Sequence, residues 1–136
     1  MGSFKDLVAF KRALEVVVAV YDVTATFPRQ EMYGLVSQLR RAAIGVISNL
    51  AEGHGRLTYG ETRQLLSQAR GSLFEVESQL IAAQALSFLA EAEAAHITKL
   101  IRGAGHALDG YIRWVQTQER EAKHPRTRGP EEPRNG

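Results

Sequence analysis

Apolar residues recur at intervals of three and four positions along most of the chain, which is the spacing of one buried face on an α-helix. Four segments carry this spacing, and none shows the sustained alternation of a strand. In the first segment, from about residue 4 to 26, an apolar seam consists of Leu7, Phe10, Leu14, Val17 and Tyr21. A second apolar edge lies beside that seam and consists of Val16, Val20 and Val23. We therefore expect this helix to be covered on two sides.

Proline, glycine and a capping pattern separate these segments. The first ends at Phe27-Pro28, because a residue before proline is pushed out of the α region. The second begins near residue 31 and ends at Gly53-His54-Gly55, since glycine adopts the left-handed geometry of a helix end at little cost. Thr58, followed three residues later by Glu61, resembles a capping box that begins the third helix.

The remaining three seams have comparable lengths and short connections. The second segment carries Leu35, Leu39, Ala42, Val46 and Leu50. The third carries Leu66, Ala69, Leu73, Val76, Leu80 and Ala83. After a short break near residues 87–90, the fourth carries Ile97, Ile101, Ala104, Leu108, Tyr111 and Val115. The pattern predicts an all-α protein, an antiparallel up-down-up-down four-helix bundle.

The last part of the chain differs in composition. Residues 119–136 hold three of the four prolines among mixed charges, with no large apolar side chain to anchor them. Such a segment cannot bury enough apolar surface to offset its conformational entropy. We therefore predict a bundle over residues 1–118 and a disordered, charged C-terminal tail over residues 119–136.

A line of polar and small residues runs beside the apolar seam of the second helix. Its members, which advance by three or four positions, are Gln38, Arg41, Gly45, Asn49 and Glu52. One interpretation is a solvated helix face. The other is a polar network at a contact between helices or subunits, in which glycine permits close approach and asparagine fixes the register. Gly71, inside the third helix, costs close to 1 kcal/mol relative to alanine, which a second close crossing would offset.

Several arginines cluster around the second and third helices and are candidates for binding nucleic acid: Arg40, Arg41, Arg56, Arg63 and Arg70. The guanidinium fork suits phosphate. Glutamates are interspersed among them, however, and ion-paired surface faces are common. Aromatic residues are few, and no aromatic residue interleaves with these arginines to form a platform for base stacking.

Charge and composition narrow the classes of function. The chain has a formal charge of +2, and removing residues 119–136 takes away five Lys/Arg and four Asp/Glu, leaving +1 on the body. A body this close to neutral has no strong global field for nucleic acid, so only a clustered patch could bind it. Cysteine is absent, which fits a cytoplasmic location. No apolar run is long enough to span a membrane.

Catalytic and metal-binding patterns are weak, and we predict no catalytic residue, metal site or cofactor. Glu93-Ala94-Ala95-His96 is one Glu-x-x-His unit, whereas a di-iron bundle needs two such units and further glutamates. Ser48 and Ser72 lie in helical segments rather than in the strand-turn-helix elbow of a nucleophilic serine. A metal-dependent bundle enzyme therefore stays a distant alternative.

Four stretches carry a resemblance to a known family. The main one is Gly34-Leu35 with Gln38-Leu39-Arg40-Arg41-Ala42-Ala43 and Ser48-Asn49-Leu50-Ala51-Glu52-Gly53. The others are Phe4 with Asp6-Leu7, the stretch around Phe27-Pro28, and Ala69-Arg70-Gly71-Ser72-Leu73. Over roughly residues 4–115, the chain resembles the bacterial four-helix bundle protein family, also named for the 23S rRNA intervening sequence and as an S23 ribosomal protein. It departs from that family at Gly45, usually serine, and at Ile47, usually proline.

The resemblance implies a homopentamer around a central channel. One branch of the family is the accessory protein of diversity-generating retroelements, which binds nucleic acid and partners a reverse transcriptase. The body charge of +1 argues against a close copy of that strongly basic branch. We expect a non-enzymatic, homo-oligomeric bundle that binds RNA, DNA or a ribonucleoprotein partner. The alternative is a protein–protein scaffold with no role in nucleic-acid binding.

Overall fold

The computed structural model describes residues 2–124, and all regular structure in that part of the chain is helical. Its four α-helices are α1 (Val8–Thr24), α2 (Leu35–His54), α3 (Tyr59–Ala85) and α4 (Glu91–Lys123). Short 3-10 turns precede α1 and α2, at Phe4–Asp6 and Arg29–Glu31. Each helix packs against the next one in the chain, and α4 packs against α1. The predicted all-α four-helix bundle is therefore confirmed.

The core is a single apolar cluster to which all four helices contribute. The predicted seams of α2, α3 and α4 lie in it almost without exception. Its largest fully buried side chains include Leu39, Leu50, Leu66, Ile97 and Leu108. Because a regular seam on one helix needs a complementary seam on its neighbours, these three helices could be oriented from the sequence.

Helix α1 turns its second predicted edge to the core, and only part of its main predicted seam, including Val17, joins it. The second edge is fully covered, with Val16 and Val20 buried. By contrast, Leu14 and Tyr21 of the main seam are 42% and 40% exposed. Both edges have helical spacing, so the spacing cannot choose between them. The small and β-branched edge faces the core, and cover for the exposed part of the main seam stays a prediction.

The ends of α2 and α3 depend on three local features. The hydroxyl of Thr58 accepts a hydrogen bond from the backbone N–H of Glu61 at 3.1 Å, which confirms the predicted cap of α3. Helix α2 continues to His54, and Gly55 is its C-terminal cap. Gly53 is buried, and a Cβ there would lie 3.2 Å from Leu65 Cβ. This glycine therefore allows α3 to approach α2 rather than ending the helix.

Ser87 carries the turn between α3 and α4 in a left-handed conformation, with a φ of 64°. The N–H of Ser87 donates to the carbonyl of Gln84, and that of Phe88 donates to the carbonyl of Ala83. This pair of bonds closes the end of α3 as in a Schellman motif. The turn therefore forms without the glycine that usually occupies such a position.

Helix α4 extends beyond residue 118, where the sequence pattern placed the end of the bundle, and runs through Lys123. Its last turns are held to α3 by an ion pair between Glu119 and Arg63. The rest of the predicted tail, residues 125–136, lies outside the described residues. A hydrophobic pattern cannot detect this extension, because a polar contact rather than apolar burial holds it.

Candidate functional site

The polar line of α2 borders an open groove of ≈ 480 Å³ between α2 and α3. From α2 the groove is lined by Gln38, Arg41 and Gly45, and α3 contributes Ser72 and Glu75. A Cβ on Gly45 would lie 3.1 Å from Ser72 Oγ, which is tighter than ordinary van der Waals contact. The close approach predicted at Gly45 is therefore present, and its partner is Ser72.

A pair of amides closes one end of this groove. The side-chain amide of Gln79 donates to Oε1 of Gln38 at 3.4 Å. Oε1 of Gln79 itself is buried and has no hydrogen-bond partner among the described residues. This oxygen is therefore an unsatisfied acceptor beneath the groove.

Three members of the predicted network do not take part in a contact between helices within residues 2–124. Among residues 2–124, the side chains of Asn49 and Glu52 form no hydrogen bond to another helix, and Glu52 is exposed. Gly71 is also exposed, and a Cβ there would meet nothing within 4 Å. The close crossing expected at Gly71 is absent inside the bundle, because that glycine faces outward. A contact with another subunit at these three positions stays a prediction.

Two of the five candidate arginines are engaged with α4. Arg63 Nε donates to Glu119 Oε1 at 2.7 Å, and Arg70 Nε donates to Asp109 Oδ1 at 2.9 Å. The hydrogen bond from Arg63 lowers the pKa of the Glu119 carboxyl, and the nearby charges of Arg63 and Lys123 lower it further. The same hydrogen bond raises the pKa of Arg63. These arginines connect α3 to α4.

Arg40 is half-buried and is held against α1. Its Nε donates to the hydroxyl of Thr24 at 2.9 Å, and its guanidinium lies 4.5 Å from the centre of the Tyr21 ring. Thr24 in turn donates to the carbonyl of Val20 at 2.7 Å, so the buried hydroxyl uses both its donor and its acceptor. The position of Arg40 is therefore fixed by the fold.

Arg41 and Arg56 differ from the other three arginines. Both are exposed, and neither forms an ion pair within residues 2–124. Arg41 lines the groove between α2 and α3, whereas Arg56 follows the end of α2. The structure therefore does not join the five arginines into one patch, and it leaves one exposed cation within α2 and another just after its C-terminal end.

An aromatic cluster lines the same recess as Arg56. Tyr59 and Trp114 lie with ring centres 6.1 Å apart at 81°, and Tyr111 and Trp114 with centres 6.4 Å apart at 39°. Trp114 is 44% exposed. We call the recess they line with Arg56 the aromatic pocket; its volume is ≈ 560 Å³. Because these residues come from two helices and a connection, only the fold reveals the cluster.

Hydrogen bonds hold one wall of the aromatic pocket in place. His54 lies between Tyr111 and the chain's beginning, with Nδ1 3.2 Å from the Tyr111 hydroxyl and Nε2 3.0 Å from the carbonyl of Gly2. A carbonyl can only accept, so Nε2 carries a proton and donates to Gly2, while Nδ1 pairs with the Tyr111 hydroxyl. Burial raises the pKa of Tyr111, which keeps that hydroxyl protonated.

No group of three or more His, Asp or Glu side chains within residues 2–124 is placed to hold a metal ion. The carboxylate of Glu93, in the single Glu-x-x-His unit, accepts from the backbone N–H of Ala90 at 3.1 Å. It therefore caps the start of α4. No helix in the described part of the chain is long and apolar enough to cross a membrane.

Comparison with known proteins identifies the family of this chain. No curated protein matches the sequence of this chain. A family model described as 23S rRNA-intervening sequence protein matches residues 5–110. That match covers most of the chain, from the turn before α1 to the middle of α4. The chain therefore belongs to the 23S rRNA-intervening sequence protein family.

Proposed function

We propose that this protein is a non-enzymatic, homo-oligomeric bundle that binds RNA or a ribonucleoprotein partner. The observation that carries the proposal is the pair of exposed arginines on and just after α2, Arg41 and Arg56, which have no ion-pair partner within residues 2–124. The family's description refers to 23S rRNA, which points to RNA before DNA. Partnership with a reverse transcriptase, as in one branch that the sequence resembles, is a narrower form of this proposal.

Exposed apolar side chains support the homo-oligomer, for which we favour a pentamer. On α1, Val18 is 55% exposed and Leu14 is 42% exposed, and they lie on the side opposite the core. Apolar groups gathered on one face gain free energy when a second subunit covers them. The polar line of α2 would then contribute Asn49 and Glu52 to subunit contacts. The absence of cysteine supports a cytoplasmic location.

The test compares two charge-reversed proteins of equal net charge. One carries Arg41→Glu with Arg56→Glu, and the control carries Lys11→Glu with Lys99→Glu, both of which are exposed cations on other helices. We expect salt-sensitive binding of a structured RNA with a single-stranded flank. In the first protein, the logarithm of the binding constant should fall less steeply with the logarithm of the salt concentration, by about 1.5 in slope, because two phosphate contacts are lost. The control should keep most of the slope.

Two results would contradict the proposal. The first is that the unaltered protein remains an oligomer but does not change the mobility of the RNA at low salt, which would favour the alternative of a protein–protein scaffold. If both charge-reversed proteins lose affinity equally, then net charge rather than Arg41 and Arg56 governs binding.

A further inference from the structure

We propose that the aromatic pocket binds one unpaired nucleobase, with Arg56 contacting the phosphate attached to it. This inference rests on the proposed nucleic-acid function and assigns it a binding site. The ligand chemistry is a flat heteroaromatic ring joined to a phosphate, which both a free nucleotide and an unstacked nucleotide in a strand provide.

The pocket has the size and the surfaces that such a ring needs. Its volume of ≈ 560 Å³ lies within the range of small-molecule sites. The nearly perpendicular rings of Tyr59 and Trp114 form a corner that can hold a flat ring by one face and one edge. Stacking on an aromatic side chain contributes about 1–3 kcal/mol per base and works with any base.

Polar groups around these rings suit the edges of a base. Thr58 and Tyr111 each bring a hydroxyl to the lining. The Thr58 oxygen already accepts from Glu61 and can still donate, and the Tyr111 oxygen, which bonds to His54, can still accept. An aliphatic occupant would use none of these groups. A double helix keeps its bases stacked inside, so the pocket selects an unpaired base.

The charge next to the pocket favours an anion. Arg56 lines the pocket and has no ion-pair partner within residues 2–124. The amino-terminal end of α3 is nearby, but Glu119 already lies there, since a Cβ on Gly60 would be 3.1 Å from its Oε2. We therefore assign the phosphate to Arg56 rather than to the helix end.

The chain carries its own reporter for this site. Trp114 is the only tryptophan in the sequence and lines the pocket. We expect its fluorescence to be quenched on titration with a short single-stranded oligoadenylate and with adenosine monophosphate, and to be unaffected by ribose 5-phosphate, which lacks a base.

Matched variants separate this pocket from the rest of the surface. Tyr59→Ala and Arg56→Ala each keep the reporter and should weaken oligoadenylate binding by about tenfold. Phe74→Ala removes another exposed aromatic and Arg102→Ala another exposed arginine, both outside the pocket. Each control should stay within about twofold of the unaltered protein, as surface substitutions usually do. Circular dichroism checks that all four variants fold.

The outcomes distinguish this inference from the proposed function. If RNA binds but neither Trp114 fluorescence nor Tyr59→Ala responds, the pocket assignment is wrong and the proposed function stands. If adenosine monophosphate quenches Trp114 but no RNA binds, the pocket takes free nucleotides and the proposed function is wrong. If RNA does not bind and neither oligoadenylate nor adenosine monophosphate quenches Trp114, both are wrong.

Discussion

At the scale of single residues, Gly45 and Gly71 have different surroundings although each lies inside a helix. Gly45 faces Ser72 across the α2–α3 crossing, whereas Gly71 faces outward with no atom within 4 Å of where a Cβ would be. The sequence alone suggested a packing role for both. It could not tell them apart, because helical spacing does not show which face a neighbour covers.

We expect Gly71→Ala to raise the free energy of unfolding by about 1 kcal/mol, because alanine is the better helix former and has free space there. Gly45→Ala should raise the free energy of unfolding by less, since its new methyl group presses on Ser72. Urea denaturation measures both variants. If Gly71→Ala instead lowers stability and dissociates the protein, Gly71 lies at a contact between subunits.

At the scale of helices, α1 shows where the hydrophobic pattern was insufficient. The seams of α2, α3 and α4 matched the core, but α1 carried two apolar edges of equal spacing. The fold buries the valine edge and leaves Leu14 and Tyr21 partly exposed. The choice depends on how closely α1 can approach its neighbours, which is a property of the whole bundle.

Substitutions on the two sides of α1 check this orientation. Val20 is 0% exposed and Val18 is 55% exposed, so the same change can be made on opposite faces. We expect Val20→Ala to cost about 2 kcal/mol of unfolding free energy, through lost burial and the cavity left behind. Val18→Ala should change it by less than about 0.5 kcal/mol in the monomer. Equal effects in urea denaturation, at concentrations where the protein is a monomer, would mean that α1 is rotated.

The ion pair between α3 and α4 should make stability depend on pH. Arg63 holds the pKa of Glu119 below its ordinary value, so the folded state favours the ionised carboxylate. This contribution is complete above the ordinary glutamate pKa of about 4.3 and is lost as pH falls through the lower folded value. Glu119→Gln should therefore lower the melting temperature near neutral pH, by an amount that shrinks in acid.

Glu121 provides the matched control for that measurement. It is exposed on the same helix and forms no ion pair within residues 2–124. Glu121→Gln should leave the melting curve unchanged from neutral pH to acid. A constant difference between Glu119→Gln and the unaltered protein at every pH would show that the carboxylate is not what stabilises this end of α4.

At the scale of the whole molecule, the architecture could be predicted much further than the site. Four periodic seams with short connections give the bundle, and the resemblance of α2 identifies the family. The candidate site depends on contacts among residues far apart in sequence. Arg63 meets Glu119, which had been assigned to the tail, and Trp114 meets Tyr59 across 55 positions of the sequence. No local pattern contains that information.

The proposed assembly gives a prediction at this scale. Light scattering should give a mass about five times the 15.0 kDa of one chain. Val18→Asp, on the exposed face of α1, should reduce that mass, because a charge cannot be buried without a partner. Leu86→Asp, an exposed site at the α3–α4 turn, should leave the mass unchanged. A monomer at micromolar concentration would contradict the assembly.

The crossing of α2 and α3 also bears on how the sequence can evolve. Gly45 and Ser72 share one small volume, with only 3.1 Å between a Cβ on the first and the hydroxyl oxygen of the second. Selection therefore acts on their combined size. A larger side chain at position 45 therefore requires the Ser72 hydroxyl to turn aside, or a smaller residue at position 72. The two positions should be coupled, so that the stability change on replacing both differs from the sum of the two separate changes.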